Sequence, residues 1–250
     1  MGHTSDSSFF GHFRNLLRAR LKFDTFLILR FGPEGRPEAY DNWLAAPSLR
    51  RKYPDQYLDG AYRLDPFFRH RDRVETDGMF RLADIAPDRF FAGEYYLQYY
   101  QQTRIRDEVG FLARTADGSV AHLSMSRLDG SGTYRRRELQ CLRYFSPLIT
   151  ELLRQYVSWR APGQVARPVI RAPRPLEELI RAHLRSTRAT SLTPREAQVS
   201  ALILQGHSNL SAALALGISR ETAKVHRRNI YRKLMISSQA ELFALLTDLF

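Results

Sequence analysis

The chain has 250 residues, 44% of them hydrophobic, a net charge of +12 and a pI near 10.2. This composition is typical of a soluble globular protein of one or two domains, and no apolar run approaches the ~20 residues of a membrane-spanning helix. The positive charge favours an anionic partner such as nucleic acid and says nothing about the fold.

The N-terminal residues MGHTSDSSFFGHFRNLLRARLKF lack the basic start, continuous apolar stretch and cleavage site of a signal peptide, so we expect a cytoplasmic protein with no membrane partner. A single cysteine, Cys141, excludes an internal disulfide, and we expect an ordinary, partly buried thiol. The seven histidines are scattered without metal-ligand spacing. We therefore expect neither a metal nor a cofactor.

Residues 1–160 have the pattern of an α+β domain. A helix is predicted over FGHFRNLLRARL, followed by an apolar strand, FDTFLILRF. Short helices are predicted within residues 47–72 and 87–103. Asp117 and Gly118 then separate two alternating segments, which is a strong hairpin signal. The predicted architecture is an antiparallel sheet flanked by helices.

A long helix is predicted to close this region over residues 134–159. Its apolar stripe should pack into the core and consists of Leu139, Leu142, Leu148, Leu152 and Tyr156. The region also holds 26 of the 29 aromatic residues. We therefore assign residues 1–160 to a sensor-like or dimerisation domain.

Residues 161–187 are predicted to form a linker, because APGQVARPVIRAPRP contains four prolines and three arginines without a helical or strand period. Residues 188–250 should form an all-α domain. There, Thr193, Pro194 and Glu196 have the spacing of an N-cap, a first helical proline and a capping-box glutamate. Residues 161–250 carry 13 basic and 6 acidic side chains, and so hold +7 of the net charge.

The segment GISRETAKVHRRNIYRKL contains a basic helix with two different faces. Ala223, His226, Ile230 and Leu234 share one mostly apolar face, and basic residues gather on the other. With the short helix and glycine-containing turn before it, this helix completes a helix-turn-helix unit, whose second helix enters the DNA major groove. A merely solvated face is the alternative interpretation, but the scarcity of acidic residues opposes it. The predicted DNA-binding residues are Arg220, Thr222, Lys224, Val225, His226, Arg227, Arg228 and Arg232.

Residues 192–242, LTPREAQVSALILQGHSNLSAALALGISRETAKVHRRNIYRKLMISSQAEL, closely resemble the LuxR/GerE-type helix-turn-helix domain. The resemblance implies double-stranded DNA as partner, with Lys224, Val225 and Arg228 toward the major groove and neighbouring basic side chains on phosphates. It also implies a dimer contact through the leucine stripe of the last helix. The sequence departs from the family pattern at four positions, which are Ser211, Ala212, Ala223 and Met235.

The first region partly resembles autoinducer-binding domains of LuxR proteins and GAF- or PAS-type sensors, through Tyr53, Tyr57 and the pair Asp65-Pro66, with Phe80 further on. This resemblance implies a small-molecule effector bound by Tyr53, Tyr57, Asp65 and Phe80. In the alternative interpretation, the aromatic residues fill the core and Asp65 caps a helix.

The sequence therefore predicts a homodimeric, sequence-specific transcriptional regulator, possessing a small-ligand sensor in its first domain. Two alternatives stay open, a ligand-independent regulator and a non-specific nucleic-acid-binding adaptor whose first domain only dimerises. The chain has no glycine-rich phosphate loop and no nucleophile motif, so we do not expect an enzyme.

Overall fold

The computed structural model describes residues 7–32, 36–45, 55–73, 77–160 and 174–250. These residues form two compact units. The first is drawn from Met1–Leu58, His70–Ile85 and Thr103–Ile170, and the second from Asp59–Arg69, Ala86–Gln102 and Arg171–Phe250. No helix in the described ranges is long and apolar enough to cross a lipid bilayer.

The first unit is centred on an antiparallel sheet, which confirms the predicted fold class. Its strands are β1 (Thr25–Phe31), β2 (Glu38–Leu44), β3 (Gly78–Arg81), β4 (Ile105–Arg114) and β5 (Val120–Leu128). Their spatial order is β2-β1-β5-β4-β3, and every neighbouring pair is antiparallel. All residues of β1 are buried. Burial on both faces explains why this strand is an uninterrupted apolar run in the sequence.

The hairpin between β4 and β5 turns where the sequence predicted it. Gly118 has a φ of +80°, which a glycine adopts without strain. The Asp117 carboxylate accepts hydrogen bonds from the hydroxyls of Thr115 and Ser119, both at 2.6 Å, and from Arg30 Nη2 at 2.6 Å. Because Arg30 belongs to β1, this turn is fixed to the neighbouring strand as well as by its own backbone.

Along the first 160 residues, the helices are α1 (Ser7–Arg18), α2 (Asp55–Asp59), α3 (Pro66–His70), α4 (Leu82–Ile85), α5 (Gln101–Thr103) and α6 (Arg136–Arg160). A π-helix over Tyr96–Tyr100 and short 3₁₀ turns lie between them. The rings of Phe10 on α1 and Tyr156 on α6 lie 4.3 Å apart and are both buried. These two helices therefore close one side of the core of the first unit.

The buried stripe of α6 differs in part from the predicted one. Leu139, Leu142 and Tyr156 are buried as expected, but Leu148 is 56% exposed. Ile149 and Leu153 are buried in place of Leu148 and Leu152. Positions 142, 149, 153 and 156 follow the helical period, whereas the residue next to each of them points about 100° away around the helix axis. The same rotation explains why Cys141, one position before Leu142, is exposed rather than partly buried.

The second unit contains α7 (Leu176–Arg188), α8 (Pro194–Leu204), α9 (Asn209–Leu216), α10 (Arg220–Leu234) and α11 (Gln239–Leu245). The predicted capping box is present at the start of α8. The Thr193 hydroxyl accepts from the Glu196 backbone N–H at 3.2 Å, and the Glu196 carboxylate accepts from the Thr193 N–H at 2.8 Å. The all-α fold predicted for this part of the chain is confirmed.

Helix α7, except for its last residue, falls within the range predicted to be linker. Residues 161–173 of that range lie outside the described residues. From Leu176 onward the chain is helical, and Leu176, Ile180 and Leu184 are buried. Their spacing of four residues forms one apolar face, which packs against α8. The proline-rich composition ends at Pro175, so the predicted linker extends too far along the chain.

Two further segments, 59–69 and 86–102, pack with these helices, although the sequence placed both in the first domain. Gly60 lies so close to the end of the chain that a Cβ there would be 2.6 Å from backbone atoms of Phe250. In the second segment, Phe90 is buried and makes ring contacts with Tyr95, Tyr96 and Tyr100. These aromatic side chains therefore form an apolar cluster within the second unit.

Candidate nucleic-acid interface

Serine caps begin both α9 and α10, and one glycine and the second of these serines build the turn between the two helices. Ser208 caps α9 by accepting from the Ser211 N–H at 3.2 Å, and Ser219 caps α10 by accepting from the Thr222 N–H at 3.0 Å. Gly217 ends α9 with a φ of +63°. A glycine C-cap followed two residues later by the serine N-cap of the next helix gives a tight turn. The angle between the helices is thus set by local sequence.

The inner face of α10 is apolar and packs against α8 and α9. Ala223, Ile230 and Leu234 are at most 1% exposed. Ala212 and Ala213 on α9 are equally well buried. These alanines include two of the departures from the family pattern, and small side chains at a helix contact allow the backbones to approach closely. His226, which shares the predicted inner face, is only half-buried.

The outer face of α10 presents the predicted DNA-binding residues other than His226 to solvent. Val225 is 43% exposed, although it is apolar. Its neighbours on this face are basic or polar and are exposed, except for the half-buried Arg227; they are Arg220, Thr222, Lys224, Arg227, Arg228 and Arg232. An exposed valine among cations can contact a thymine methyl group while the cations contact base edges and phosphates.

Partners within α10 orient several of these cations. Lys224 Nζ lies 3.0 Å from a carboxylate oxygen of Glu221, and both side chains are exposed. Such a surface pair contributes ~0–1 kcal/mol, so it leaves Lys224 able to bind another anion. Arg227 Nε donates to the Tyr231 hydroxyl at 3.1 Å, with its guanidinium 5.3 Å from that ring. This contact holds Arg227 along the helix.

One basic residue of α10 is used inside the unit. Lys233 Nζ donates to Glu196 Oε2 at 2.7 Å, and the Glu196 side chain is 5% exposed. Burial by itself would raise the pKa of Glu196, but the hydrogen bonds from Lys233 and from Thr193 outweigh it, and the pKa lies below its usual value. The pair joins the start of α8 to the end of α10. Lys233 is therefore a structural residue of this helix.

Two other departures from the family pattern have local consequences. Met235 ends α10 with a φ of +54° and is 86% exposed, so a side chain occupies a left-handed position that favours glycine. The Ser211 hydroxyl lies 2.6 Å from His207 Nδ1. Both differences lie away from the outer face of α10.

The residues predicted to bind a ligand fall in different places. Tyr53 lies outside the described residues. Tyr57 and Phe80 belong to the first unit, where Tyr57 is buried and the ring of Phe80 lies 4.4 Å from that of His70. Asp65 belongs to the second unit.

Asp65 is buried and interacts with the start of α3. Its Oδ1 accepts from the Phe67 N–H at 3.0 Å, which is the contact of an N-cap residue. This is the role that the alternative interpretation gave to Asp65. Among the described residues there is also no group of three or more metal-ligating side chains.

Comparison with known proteins identifies the family. Residues 190–246 match the bacterial regulatory proteins of the luxR family, GerE. A protein described as an HTH-type transcriptional regulator in the exeN 3′ region of Aeromonas salmonicida is 34% identical over 181 residues, which cover 72% of this chain and 92% of that protein. The chain is a LuxR-family transcriptional regulator. This family consists of transcriptional regulators that bind DNA, rather than enzymes.

Two further comparisons cover parts of this LuxR-family regulator. The response regulator protein TodT of Pseudomonas putida is 50% identical over 52 residues, 21% of this chain and 23% of that protein. The crystal structure of the VqsR LBD domain from Pseudomonas aeruginosa matches with a TM-score of 0.51 and 22% identity, over 62% of this chain and 90% of that domain. At this identity the match shows a shared fold and nothing more.

Proposed function

We propose that this LuxR-family regulator binds double-stranded DNA sequence-specifically, acts in the cytoplasm and works as a homodimer. The observation that carries the proposal is the outer face of α10, on which Lys224, Val225 and Arg228 are exposed while the opposite face is buried against α8 and α9. A helix fixed in this way can enter the major groove without rearranging the unit that holds it.

The side chains on this face divide by what they can reach. Lys224, Val225 and Arg228 would contact base edges, because Arg228 lies one helical turn beyond the adjacent pair Lys224 and Val225 at the centre of the face. The remaining predicted residues would bind phosphates; Arg220, Thr222, Arg227 and Arg232 flank the base-contacting residues, and the half-buried His226 lies at the border with the inner face. Phosphate contacts add affinity for any sequence, and base contacts add the preference for one sequence.

A selection from a random pool of DNA duplexes tests sequence-specific binding. The full chain should enrich a common sequence and should prefer that duplex over a random one by roughly 10³-fold or more at equal salt. A non-specific adaptor would enrich nothing and would bind both duplexes equally. This second outcome would refute the proposal while leaving the family membership intact.

A small-molecule effector of the first domain is the further part of the proposal. It is supported by the fold shared with the VqsR LBD domain, a ligand-binding domain by its name. Native mass spectrometry of the full chain, purified from its host without denaturation, should show a noncovalent adduct that denaturation removes. If no adduct is found under conditions that retain a known weak ligand of a control protein, the ligand-independent alternative is favoured.

A dimer contact in the first unit is better supported than one through the last helix. Leu242 and Leu246 of the predicted leucine stripe are fully buried within the second unit. In the first unit, the exposed side chains of Phe9 on α1 and Trp159 on α6 border an open apolar groove. Sedimentation should give a dimer for the wild type and a monomer for Trp159→Glu. A dimer in both would exclude this face.

A further inference from the structure

A basic pocket of about 310 Å³ lies beside the first half of α10, within the second unit. Its walls come from the start of α9, from α10 and from the segment 86–102. The lining residues are Arg89, Ser208, Asn209, Leu210, Arg220 and Arg227. Three arginines thus converge from two parts of the chain that are more than a hundred residues apart in sequence.

The backbone around Arg89 is fixed against the helix-turn-helix. The Arg89 N–H donates to the Gly206 carbonyl at 2.9 Å, and the Ser208 N–H donates to Asp88 Oδ1 at 2.9 Å. Gly206 has a φ of +89°, and a Cβ there would lie 2.6 Å from Phe90 Cα. Two hydrogen bonds and one close backbone contact therefore set the position of Arg89 relative to α9.

Among the described residues that line the pocket there are three arginines and no acid. Within the described part of the chain, the guanidinium groups of Arg89 and Arg220 form no ion pair, and Arg227 bonds only the neutral Tyr231 hydroxyl. The acids next to these arginines in the chain are Asp88 and Glu221, whose carboxylates interact with Ser208 and with Lys224. Burial by itself would raise the pKa of Asp88, but the hydrogen bonds from Ser208 outweigh it and hold the pKa below its usual value.

We propose that Arg89, Arg220 and Arg227 together bind one phosphate group of the DNA backbone. Guanidinium groups bind phosphate oxygens in a bidentate geometry, and arginines on different walls of one cavity can each contact different oxygens of the same phosphate. The inference rests on the proposed DNA binding and extends it. Arg89 lies outside residues 190–246, so the DNA-binding surface includes a residue from a different part of the chain.

The salt dependence of binding tests the proposal, with a random-sequence DNA duplex as the probe and the full chain as the protein. Loss of one phosphate contact lowers the slope of log affinity against log salt by about 0.9. Arg89→Ala should therefore bind about eightfold more weakly than wild type near 0.1 M salt and about equally near 1 M. Arg89→Lys keeps the charge and should recover most of the slope.

Two matched variants separate this contact from other effects. Arg106→Ala removes an exposed arginine of β4 and the same unit of net charge, and it should keep the wild-type slope. If Arg106→Ala and Arg89→Ala behave alike, the effect is one of net charge and the proposal is wrong. Arg227→Ala should lower the slope as Arg89→Ala does. A lower slope for Arg227→Ala with no change for Arg89→Ala would overturn the inference and leave DNA binding standing.

Absence of salt-dependent DNA binding by the wild type would refute the proposed function, and this inference with it. A free phosphate ion could use the same chemistry as a backbone phosphate. Calorimetric titration with inorganic phosphate, without DNA, distinguishes the two. Phosphate binding that is lost in Arg89→Ala, together with an unchanged DNA slope, would assign the pocket to the free ion and overturn the DNA assignment.

Discussion

Gly206 and Gly217 allow a matched test of the contact that fixes Arg89 to the helix-turn-helix. Both have positive φ, +89° and +63°, so alanine at either position is strained by roughly 1–2 kcal/mol. Around Gly217 a Cβ would meet no atom within 4 Å, whereas at Gly206 it would lie 2.6 Å from Phe90 Cα and 2.9 Å from Phe90 N. Only Gly206→Ala therefore forces two backbones apart.

The expected difference follows from these distances. Gly217→Ala should destabilise the second unit by about 1 kcal/mol, since alanine's smaller unfolded-state entropy offsets part of the strain. Gly206→Ala adds an overpacking cost of roughly 1–3 kcal/mol and weakens the bond from the Arg89 N–H, worth about 1 kcal/mol. The unfolding free energy of Gly206→Ala should therefore be about 2 kcal/mol or more below that of Gly217→Ala, which corresponds to a Tm lower by roughly 5–10 °C.

Thermal unfolding followed by far-ultraviolet circular dichroism measures this gap, because the second unit is helical. The sharper readout is DNA binding to a random duplex at a temperature where both variants are folded. Gly206→Ala should lose the phosphate contact of Arg89, and Gly217→Ala should keep it. Equal losses of Tm and equal salt slopes in the two variants would show that the backbone of Phe90 does not lie against Gly206.

Three other changes test the energetics of single residues. Because the folded pKa of Glu196 is lowered, its carboxylate stabilises the chain above the unfolded pKa of 4.5, and this stabilisation is lost as the pH falls. Urea unfolding should give Glu196→Gln an unfolding free energy about 1.5–3 kcal/mol below that of wild type at pH 7 and close to it near about pH 3. A difference that stays constant with pH would contradict the ion pair with Lys233. Met235→Gly removes the backbone strain of a left-handed residue without loss of buried contacts, so urea unfolding should give an unfolding free energy about 0.5 kcal/mol above that of wild type. A lower unfolding free energy would contradict this explanation. Burial lowers the pKa of His122 to about 3, below the unfolded value of 6.5, so the unfolding free energy of wild type should fall by about 2 kcal/mol from pH 7 to pH 5. His122→Phe should remove this pH dependence, and a variant with the same pH profile as wild type would contradict the assignment to His122.

The sequence predicted the parts of the structure that depend on local spacing. The faces of α10 follow from residues three and four apart, so Ala223, Ile230 and Leu234 could be assigned to the interior. The capping box of α8 and the turn at Gly118 also involve residues within four positions of each other. Such patterns determine structure whatever lies elsewhere in the chain.

The features that the sequence did not predict depend on contacts between distant residues. Arg89 has no periodic pattern around it, and its position is set by Gly206, more than a hundred residues later. The role of Lys233 was hidden for the same reason, because its partner Glu196 lies on another helix. One available indication was Gly206 itself, since a glycine with a required positive φ often also marks a close approach of another backbone.

Two lysines of α10 allow base recognition by its outer face to be tested directly. Lys224 is exposed on the outer face, whereas Lys233 is paired with Glu196. The measurement is the ratio of affinities for the selected duplex and for a random duplex at equal salt. Lys224→Ala should lower this ratio about 5- to 150-fold, the equivalent of ~1–3 kcal/mol. Lys233→Ala should leave the ratio unchanged and lower the Tm. A wild-type ratio for Lys224→Ala would contradict the assignment of the outer face of α10 to base recognition.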